Sequence, residues 1–182
     1  MVSLADLTAA FSRAYQKEKV RIGALDFSDQ EHFAIELLLG ENGKPTELAQ
    51  QVSRRYREIM VDEYQDTNEV QNCIFSAISR EEKNLFTVGD VKQSIYRFRL
   101  ADPTIFLEKY ITFTDAENTE GDEPRRILLS RNFRSRDEVL QATNFIFKNI
   151  MSVTMGEMDY GEKEALHFGA AYYPEAENRA AE

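Results

Sequence analysis

The chain has 182 residues, 42% of them hydrophobic, so it is large and apolar enough for one folded domain with an attached subdomain and does not have the composition of a disordered protein. Its net charge of −10 argues against binding nucleic acid through overall charge, although a local basic groove stays open. The single Cys73 excludes an intramolecular disulfide, and the lack of an apolar run of about 18 residues and of a secretory signal predicts a cytoplasmic protein with no membrane partner.

The first part of the chain carries the apolar spacing of three helices. The first is predicted over residues 3–19, with Ser3 as its N-terminal cap. The second follows a capping box that begins at Ser28, and Gly40 stands where a C-terminal cap belongs. The third helix is expected to start at Thr46. This part should therefore be helical.

The pattern then changes to one that alternates strands with helices. Residues 58–62 predict a buried strand, and residues 85–90 predict a second buried strand that ends in a glycine turn. Thr67 is expected to cap the helix between them, and Pro103 opens a further helix at its first position. Alternation of this kind favours an α/β layer fold with a parallel sheet.

The last third of the chain begins with an acidic stretch. Residues 114–124 predict an exposed acidic loop, and residues 127–129 predict a third strand. Ser135 is expected to cap a helix that ends near Asn149. Residues 156–182 are mostly polar and acidic, so we expect a tail that is loosely held or packs elsewhere.

Two adjacent acids, Asp62 and Glu63, follow the first predicted strand directly. Successive side chains of a strand point in opposite directions, so one carboxylate can face a metal–phosphate while its neighbour faces a water. In that interpretation Asp62 is a magnesium ligand and Glu63 is the base for hydrolysis of a nucleotide γ-phosphate. The alternative is a solvated strand end.

A second segment, residues 88–99, begins at the end of the second predicted strand, where open α/β sheets bind ligands. Gln93 offers both a donor and an acceptor, which suits contact with a γ-phosphate. Cations alternate with aromatic rings further along, a composition typical of platforms on which single-stranded nucleic acid stacks: Lys92, Tyr96, Arg97, Phe98 and Arg99. The alternative places both rings in the core and the bases on a solvated rim.

A third segment, residues 125–136, is rich in arginine. Arg134 lies just before a predicted helix and has the position of an arginine that reaches a phosphate at a domain interface. Phe133 beside it has a ring that can stack on a base. The alternative is a basic surface strand.

The three segments in this order resemble motifs II, III and IV of superfamily 1 DNA helicases of the UvrD/RecB type. The matching residues are Asp62–Thr67, Gly89–Arg99 and Asn132–Ser135. Within the superfamily, the chain is most similar to the AddA family of bacterial helicase–nuclease subunits, over roughly residues 1–175. The resemblance implies an α/β fold that contains part of a RecA-like (P-loop NTPase) motor domain with a parallel sheet, preceded by a helical insertion segment.

The resemblance also implies a role for each matching residue. Asp62 would hold Mg²⁺, Glu63 would be the catalytic base, and Gln93 would contact the γ-phosphate of ATP and couple it to DNA. Phe133 would stack on the adenine where a tyrosine is common, and Arg134 would be the arginine finger. The DNA contacts would come from Tyr96, Arg97, Phe98 and Arg99, with Phe98 where a tryptophan is frequent. The implied partners are single- and double-stranded DNA and an AddB-type subunit.

Three parts expected from the resemblance have no match in the sequence: the phosphate-binding loop, the helicase motifs that follow motif IV, and the C-terminal nuclease domain of the AddA family. A phosphate-binding loop needs Gly, four residues, then Gly-Lys-Ser/Thr, and Gly43-Lys44-Pro45 has proline where the hydroxyl belongs, so we interpret it as a turn. We therefore expect an internal fragment that neither hydrolyses ATP nor unwinds DNA alone. Its expected parts are a helical segment (1–56), the C-terminal part of the first motor domain (57–124), the start of the second (125–155) and the acidic tail (156–182).

Three functional hypotheses stay open from the sequence. The first is a fragment of an ATP-dependent DNA helicase/nuclease subunit that translocates on single-stranded DNA in double-strand-break repair and recombination. The second is a non-catalytic, helicase-like module that binds DNA or a protein. The third is a free-standing metal nuclease that uses Asp62, Glu63 and Asp66.

Overall fold

The structure, a computed structural model, describes residues 3–156, 158–170 and 172. The chain divides into two compact units, Met1–Thr112 and Phe113–Glu182. This division falls before the acidic loop, which the sequence analysis grouped with the residues that precede it. The elements of the first unit are α1 (Leu4–Ile22), α2 (Phe27–Leu38), α3 (Glu47–Ser53), β1 (Ile59–Val61), α4 (Glu69–Ile78), β2 (Leu85–Thr87) and α5 (Pro103–Thr112).

The cap of α1 depends only on neighbouring residues, whereas the cap of α2 also depends on a side chain from another helix. Ser3 caps α1 in a reciprocal box with Asp6, as predicted. The box of α2 begins at Asp26 and not at Ser28, because the Asp26 carboxylate accepts the Asp29 N–H at 2.8 Å and the Asp29 carboxylate accepts the Asp26 N–H at 3.0 Å. Both carboxylates also pair with Lys19 of α1, at 2.9 and 2.6 Å. This ion pair links the two helices and favours the earlier start.

Two further predictions about caps were wrong, and one prediction of a helix start was confirmed. Gly40 does not cap α2, since the helix ends in the extended residue Leu39 and the Gly40 N–H donates to the Lys44 carbonyl. Asn68, one residue after Thr67, caps α4 in a reciprocal box with its Gln71. The predicted start of α3 at Thr46 is confirmed, since Thr46 is its N-terminal cap and the Thr46 hydroxyl accepts the Ala49 N–H.

The helical core of the first unit forms where α2, α3 and α4 meet. Leu38, Ala49 and Ala77, one residue from each helix, are buried together. Small side chains at two of these three positions allow the helices to approach closely.

Strands β1 and β2 pair in parallel, as the sequence predicts, with Ile59 opposite Leu85 and Val61 opposite Thr87. The predicted burial is wrong for the middle residue of each strand, and the end residues are partly buried. Met60 is 71% exposed and Phe86 is also exposed, because the described sheet has only two strands and one of its faces is uncovered. The carboxyl ends of both strands point to the same edge, which places the segments after them side by side.

The second unit contains β3 (Thr114–Asp115), β4 (Arg125–Arg126), β5 (Arg131–Asn132), α6 (Asp137–Ile150), α7 (Val153–Gly156) and β6 (His167–Phe168). The predicted strand at 127–129 is wrong, and Leu129 is 83% exposed. Pairing occurs instead between β3 and β4, where Arg126 contacts Asp115 at 2.6 Å. The acidic loop therefore begins as a strand.

Helix α6 and the segment after it form the rest of this unit. Helix α6 follows Arg136 and has no side-chain cap, so the predicted cap at Ser135 is wrong. Residues 158–170 are packed and not loosely held: the Asn144 side chain accepts the Tyr160 hydroxyl at 2.6 Å and the Leu166 N–H at 2.9 Å. Strand β6 pairs in parallel with β5. Residues 157, 171 and 173–182 of the predicted tail lie outside the described residues.

Among residues 3–156, 158–170 and 172, no helix combines the length and the apolar character that a membrane crossing needs.

Candidate functional site

Asp62 and Glu63 form a two-residue excursion from the end of β1. The Val88 N–H donates to the Val61 carbonyl at 2.8 Å, and the Tyr64 N–H donates to the Val88 carbonyl at 2.9 Å. The two acids lie between these bonds, exposed to solvent. The predicted strand-like alternation is wrong here, because Glu63 adopts the left-handed conformation with φ 51° and ψ 40°. For a residue other than glycine, that conformation is uncommon and strained, and such strain is frequent at functional sites.

The contacts of the two carboxylates differ. Asp62 Oδ1 accepts the Glu63 N–H at 2.9 Å, and Glu63 Oε2 accepts a hydrogen bond from Gln65 Nε2 at 2.7 Å. Asp62 fits a magnesium ion, which takes one or two protein carboxylates and completes its shell with water and phosphate oxygens. The described residues contain no group of three or more His, Cys, Asp or Glu side chains placed to hold a metal by themselves.

Tyr64 anchors this excursion in the interior. It is fully buried, and its hydroxyl donates to Asn72 Oδ1 of α4 at 2.5 Å. Its ring meets the edge of Phe106 of α5 with centroids 5.8 Å apart. Burial, with a smaller effect of Glu82, raises the pKa of Tyr64 to about 12, so it stays a neutral hydrogen-bond donor.

Gln65 connects the two segments that follow β1 and β2. Its side chain is 1% exposed; Nε2 donates to Glu63, and Oε1 accepts the Asp90 N–H at 3.0 Å. Its own carbonyl accepts the Ser94 hydroxyl at 3.4 Å. Gly89 leaves the space for this contact, since a Cβ there would lie 2.5 Å from Gln65 Oε1.

Asp90 continues the connection to Gln93. Its carboxylate accepts from Gln93 Nε2 at 3.0 Å and from the Lys92 ammonium at 2.8 Å. The structure therefore joins Glu63 and Gln93, for which the sequence analysis predicted roles at the γ-phosphate, through Gln65 and Asp90.

The aromatic and cationic side chains of residues 96–99 form a second feature, which we call the 96–99 cluster. The rings of Tyr96 and Phe98 lie 5.8 Å apart, and the Arg99 guanidinium lies 5.4 and 5.6 Å from their centroids. Arg97 begins the short 3₁₀ helix that holds them. Phe98 is 75% exposed and Tyr96 is also exposed, so the interpretation of these rings as core residues is wrong.

An open cavity of about 430 Å³ adjoins the cluster. Tyr96, Arg99 and Asp66 are among its lining residues. Asp66 Oδ1 is buried without a hydrogen-bond partner among the described residues. Burial, and next the charge of Glu63, raises the pKa of Asp66.

Phe133 and Arg134 lie in the second unit. The Asn132 side chain accepts the N–H groups of Arg134 and Ser135 at 2.9 and 2.8 Å, which fixes the turn before α6. Phe133 is exposed, and its carbonyl accepts the Tyr172 hydroxyl.

Sequence reasoning missed Gln65, Asp90 and Asn132 as residues that position others. The Gln65 side chain bonds to a backbone group 25 positions away, which no periodicity reports. The side chains of Asp90 and Asn132 bond to residues two and three positions further on, a local pattern that polar turn residues often show. Gly89 gave a usable signal, because a glycine at a strand end often marks the close approach of another chain segment.

The comparison with known protein families is decisive. Residues 3–114 match the UvrD/REP helicase N-terminal domain. The chain belongs to the UvrD/REP helicase family. This membership confirms the resemblance inferred from the three motifs.

Curated relatives agree with the family match, and three of them are named as subunits of an ATP-dependent helicase/nuclease. The protein from Clostridium perfringens (strain 13 / Type A) is 46% identical over 179 residues, 94% of this chain and 14% of its own length. That from Clostridium acetobutylicum is 48% identical over 98% of this chain and 14% of its own length. That from Staphylococcus aureus (strain JH9) is 50% identical over 92% and 13%. The chain therefore spans about one seventh of the length of the relatives it matches.

Proposed function

We propose that this chain supplies part of the ATP-driven motor of a DNA helicase/nuclease subunit. In this proposal, residues 57–124 form the C-terminal part of a first RecA-like motor domain, residues 125–155 begin a second one, and residues 1–56 come from a helical insertion. The observation that carries the proposal is the hydrogen-bonded line from Glu63 through Gln65 and Asp90 to Gln93. Such a line suits a site in which a base and a phosphate contact act on one nucleotide.

The nucleotide chemistry would rest on the excursion after β1. Asp62 would hold Mg²⁺, directly or through water, and the bound ion would neutralise charge on the phosphates. Glu63 would orient the attacking water and accept its proton. Oε2 of Glu63 already accepts from Gln65, so Oε1 is the atom we assign to the proton.

Gln93 would contact the γ-phosphate through its amide. Phe133 would stack on the adenine of ATP, and Arg134 would stabilise charge on the transferred phosphoryl group as an arginine finger. The Asn132 turn supports these two assignments by fixing the backbone at Arg134.

The 96–99 cluster would bind single-stranded DNA. Exposed Tyr96 and Phe98 offer faces on which bases stack, and Arg97 and Arg99 supply positive charge for the backbone. An open ring face beside a guanidinium is the arrangement that sequence-tolerant binding needs. The position of this cluster directly after Gln93 supports coupling between nucleotide and DNA.

The wider role follows from the relatives and is also a proposal. The longer protein would translocate on single-stranded DNA, process double-stranded DNA ends in break repair and recombination, and work in the cytoplasm with an AddB-type subunit. Helicase and nuclease activities both appear in the names of the relatives.

The chain alone should not turn over ATP. Its sequence contains no Gly-x₄-Gly-Lys-Ser/Thr loop, and Gly43 lies in a tight turn with φ 71° and its N–H bonded to the Gly40 carbonyl. ATP hydrolysis with magnesium, with and without single-stranded DNA, should match that of Glu63→Gln. DNA-stimulated turnover that disappears in Glu63→Gln would contradict this expectation and reveal another phosphate site.

Two other functions make different predictions. A non-catalytic module would bind single-stranded DNA yet give an inactive motor when placed in a longer relative. The presence of all four residues proposed for the nucleotide chemistry argues against it: Asp62, Glu63, Gln93 and Arg134. A metal nuclease would cut DNA with magnesium and without ATP. Among the described residues, no three His, Cys, Asp or Glu side chains are placed to hold a metal together, so the structure lends that nuclease no support.

A further inference from the structure

We propose that Gln65 is a positioning residue that couples Glu63 to Gln93. The inference rests on the proposed roles of these two residues at the nucleotide. Gln65 itself touches neither the metal nor the phosphate in this account. It would act by holding the base and the phosphate contact in one fixed relation.

The chemistry of its neighbours fixes the orientation of the Gln65 amide. The Glu63 carboxylate only accepts hydrogen bonds, so Nε2 must face it, and the Asp90 backbone N–H only donates, so Oε1 must face that side. No other side chain of this size both donates at one end and accepts at the other. Glutamate would place oxygen against oxygen at Glu63, and methionine would make neither bond.

The packing around Gln65 leaves it no room to move independently. The residue is 1% exposed, and Gly89 lies so close that an added Cβ would come within 3.1 Å of the Gln65 backbone nitrogen. The Ser94 hydroxyl bonds to the Gln65 carbonyl. A displacement of Glu63 must therefore be passed to the segment after β2.

Asp90 completes the connection to Gln93. Its N–H is held by Gln65, and its carboxylate holds Gln93 Nε2 at 3.0 Å. Asp90 thus bonds to Gln65 through its backbone and to Gln93 through its side chain. The line is continuous over four residues from two chain segments.

The test measures this coupling in the isotopically labelled chain without ATP or DNA. Glu63→Ala removes the carboxylate at one end, and NMR follows the Gln93 side-chain amide and the Asp90 N–H at the other. We expect Glu63→Ala to shift both resonances in the parent chain. In a Gln65→Met background the same change should leave them unshifted.

A matched control separates coupling from general loosening. Gln71→Met removes another partly buried glutamine of the same unit, whose amide binds Glu31. In that background Glu63→Ala should shift the Gln93 and Asp90 resonances as in the parent chain. If Gln65→Met does not fold, Gln65→Glu replaces it, since its carboxylate still accepts the Asp90 N–H but no longer donates to Glu63.

The proposal is overturned if Glu63→Ala leaves Gln93 and Asp90 unshifted in the parent chain. It is also overturned if the shift persists unchanged in the Gln65 variant. Both outcomes are independent of ATP hydrolysis, so loss of the proposed motor function with the coupling intact would leave Gln65 as a structural link between these segments.

Discussion

Residues 61–66 and residues 96–100 lie in the same unit but differ in how the protein surrounds them. In the first stretch, Tyr64 and Gln65 are fully buried and bonded to distant residues. In the second, Phe98 and Leu100 project into solvent, and the turn is closed mainly by local bonds, such as that from the Arg99 N–H to the Tyr96 carbonyl at 2.7 Å. Buried anchors fix the direction of exposed carboxylates, whereas a stacking surface needs its faces open.

The largest effect on the buried region is expected from filling the space at Gly89. Gly89→Ala would place a Cβ 2.5 Å from Gln65 Oε1 and 3.0 Å from the Phe106 ring. We expect the free energy of unfolding to fall by about 1–3 kcal/mol, as overpacking of a filled site does. Urea unfolding followed by circular dichroism measures it.

Gly40→Ala is the matched control, because its added Cβ would meet the Asn42 side chain at an ordinary 3.4 Å. Equal stability of the two alanine variants would mean that the Gly89–Gln65 approach is not tight in solution.

The exposed region is tested by Phe98→Ala. Loss of one stacking ring should weaken single-stranded DNA binding by about 1–3 kcal/mol, roughly 5- to 150-fold. Thermal stability should not change, since the ring is 75% exposed. Fluorescence anisotropy with a labelled oligonucleotide measures the affinity, and Ile111→Ala, another exposed apolar residue of the same unit, serves as control. Undiminished affinity of Phe98→Ala would remove the stacking role.

Left-handed backbone at a residue other than glycine occurs in both regions, at Glu63 with φ 51° and at Leu100 with φ 67°, and its cost can be tested at Glu63. Glu63→Ala and Glu63→Gly both remove the carboxylate, but only glycine adopts φ 51° without a steric penalty. We expect the glycine variant to be more stable than the alanine variant by about 1 kcal/mol, as measured by urea unfolding. An alanine variant as stable as the glycine variant would show that this backbone is not strained.

The smallest expected effect concerns the link between α1 and α2, which lies outside both regions. The Lys19 ammonium, and next the Asp29 N–H, lower the pKa of Asp26 to about 2. Its stabilising contribution is therefore present above about pH 4 and is lost as the pH falls toward 2. Lys19→Met should move acid unfolding to higher pH, measured by circular dichroism.

Lys17→Met removes a neighbouring charge of α1 and should leave acid unfolding unchanged. Neither variant should alter DNA affinity. A change in affinity with Lys19→Met would mean that the 96–99 cluster depends on the α1–α2 link.

Local signals predicted the parts of the fold that local chemistry controls. The cap at Ser3 and the helix starts at Thr46 and Pro103 depend on residues within one turn, and all three are present. The start of α2 was missed because Lys19, from another helix, favours Asp26. The sequence left open whether residues 158–170 are loosely held or packed, because their order depends on Asn144 of α6.

The candidate site also contains features that local sequence signals predicted and features that depend on distant residues. Motif spacing singled out Asp62, Glu63 and Gln93, and their roles stay predictions. The Gln65 connection could not be read from the sequence, since it joins a buried amide to the Asp90 backbone across 25 positions. The left-handed conformation of Glu63 could not be predicted either, because the residues on both sides of Asp62 and Glu63 bond to Val88, which lies far along the chain.

The most direct test of the central claim is ATP hydrolysis by a chimera. This chain would replace the matching segment of the Clostridium acetobutylicum relative, to which it is 48% identical. The account predicts DNA-stimulated hydrolysis by the chimera and a loss of about 10²–10⁴-fold in Glu63→Gln, as removal of a general base produces. A folded chimera that hydrolyses ATP equally fast with Glu63→Gln would contradict it.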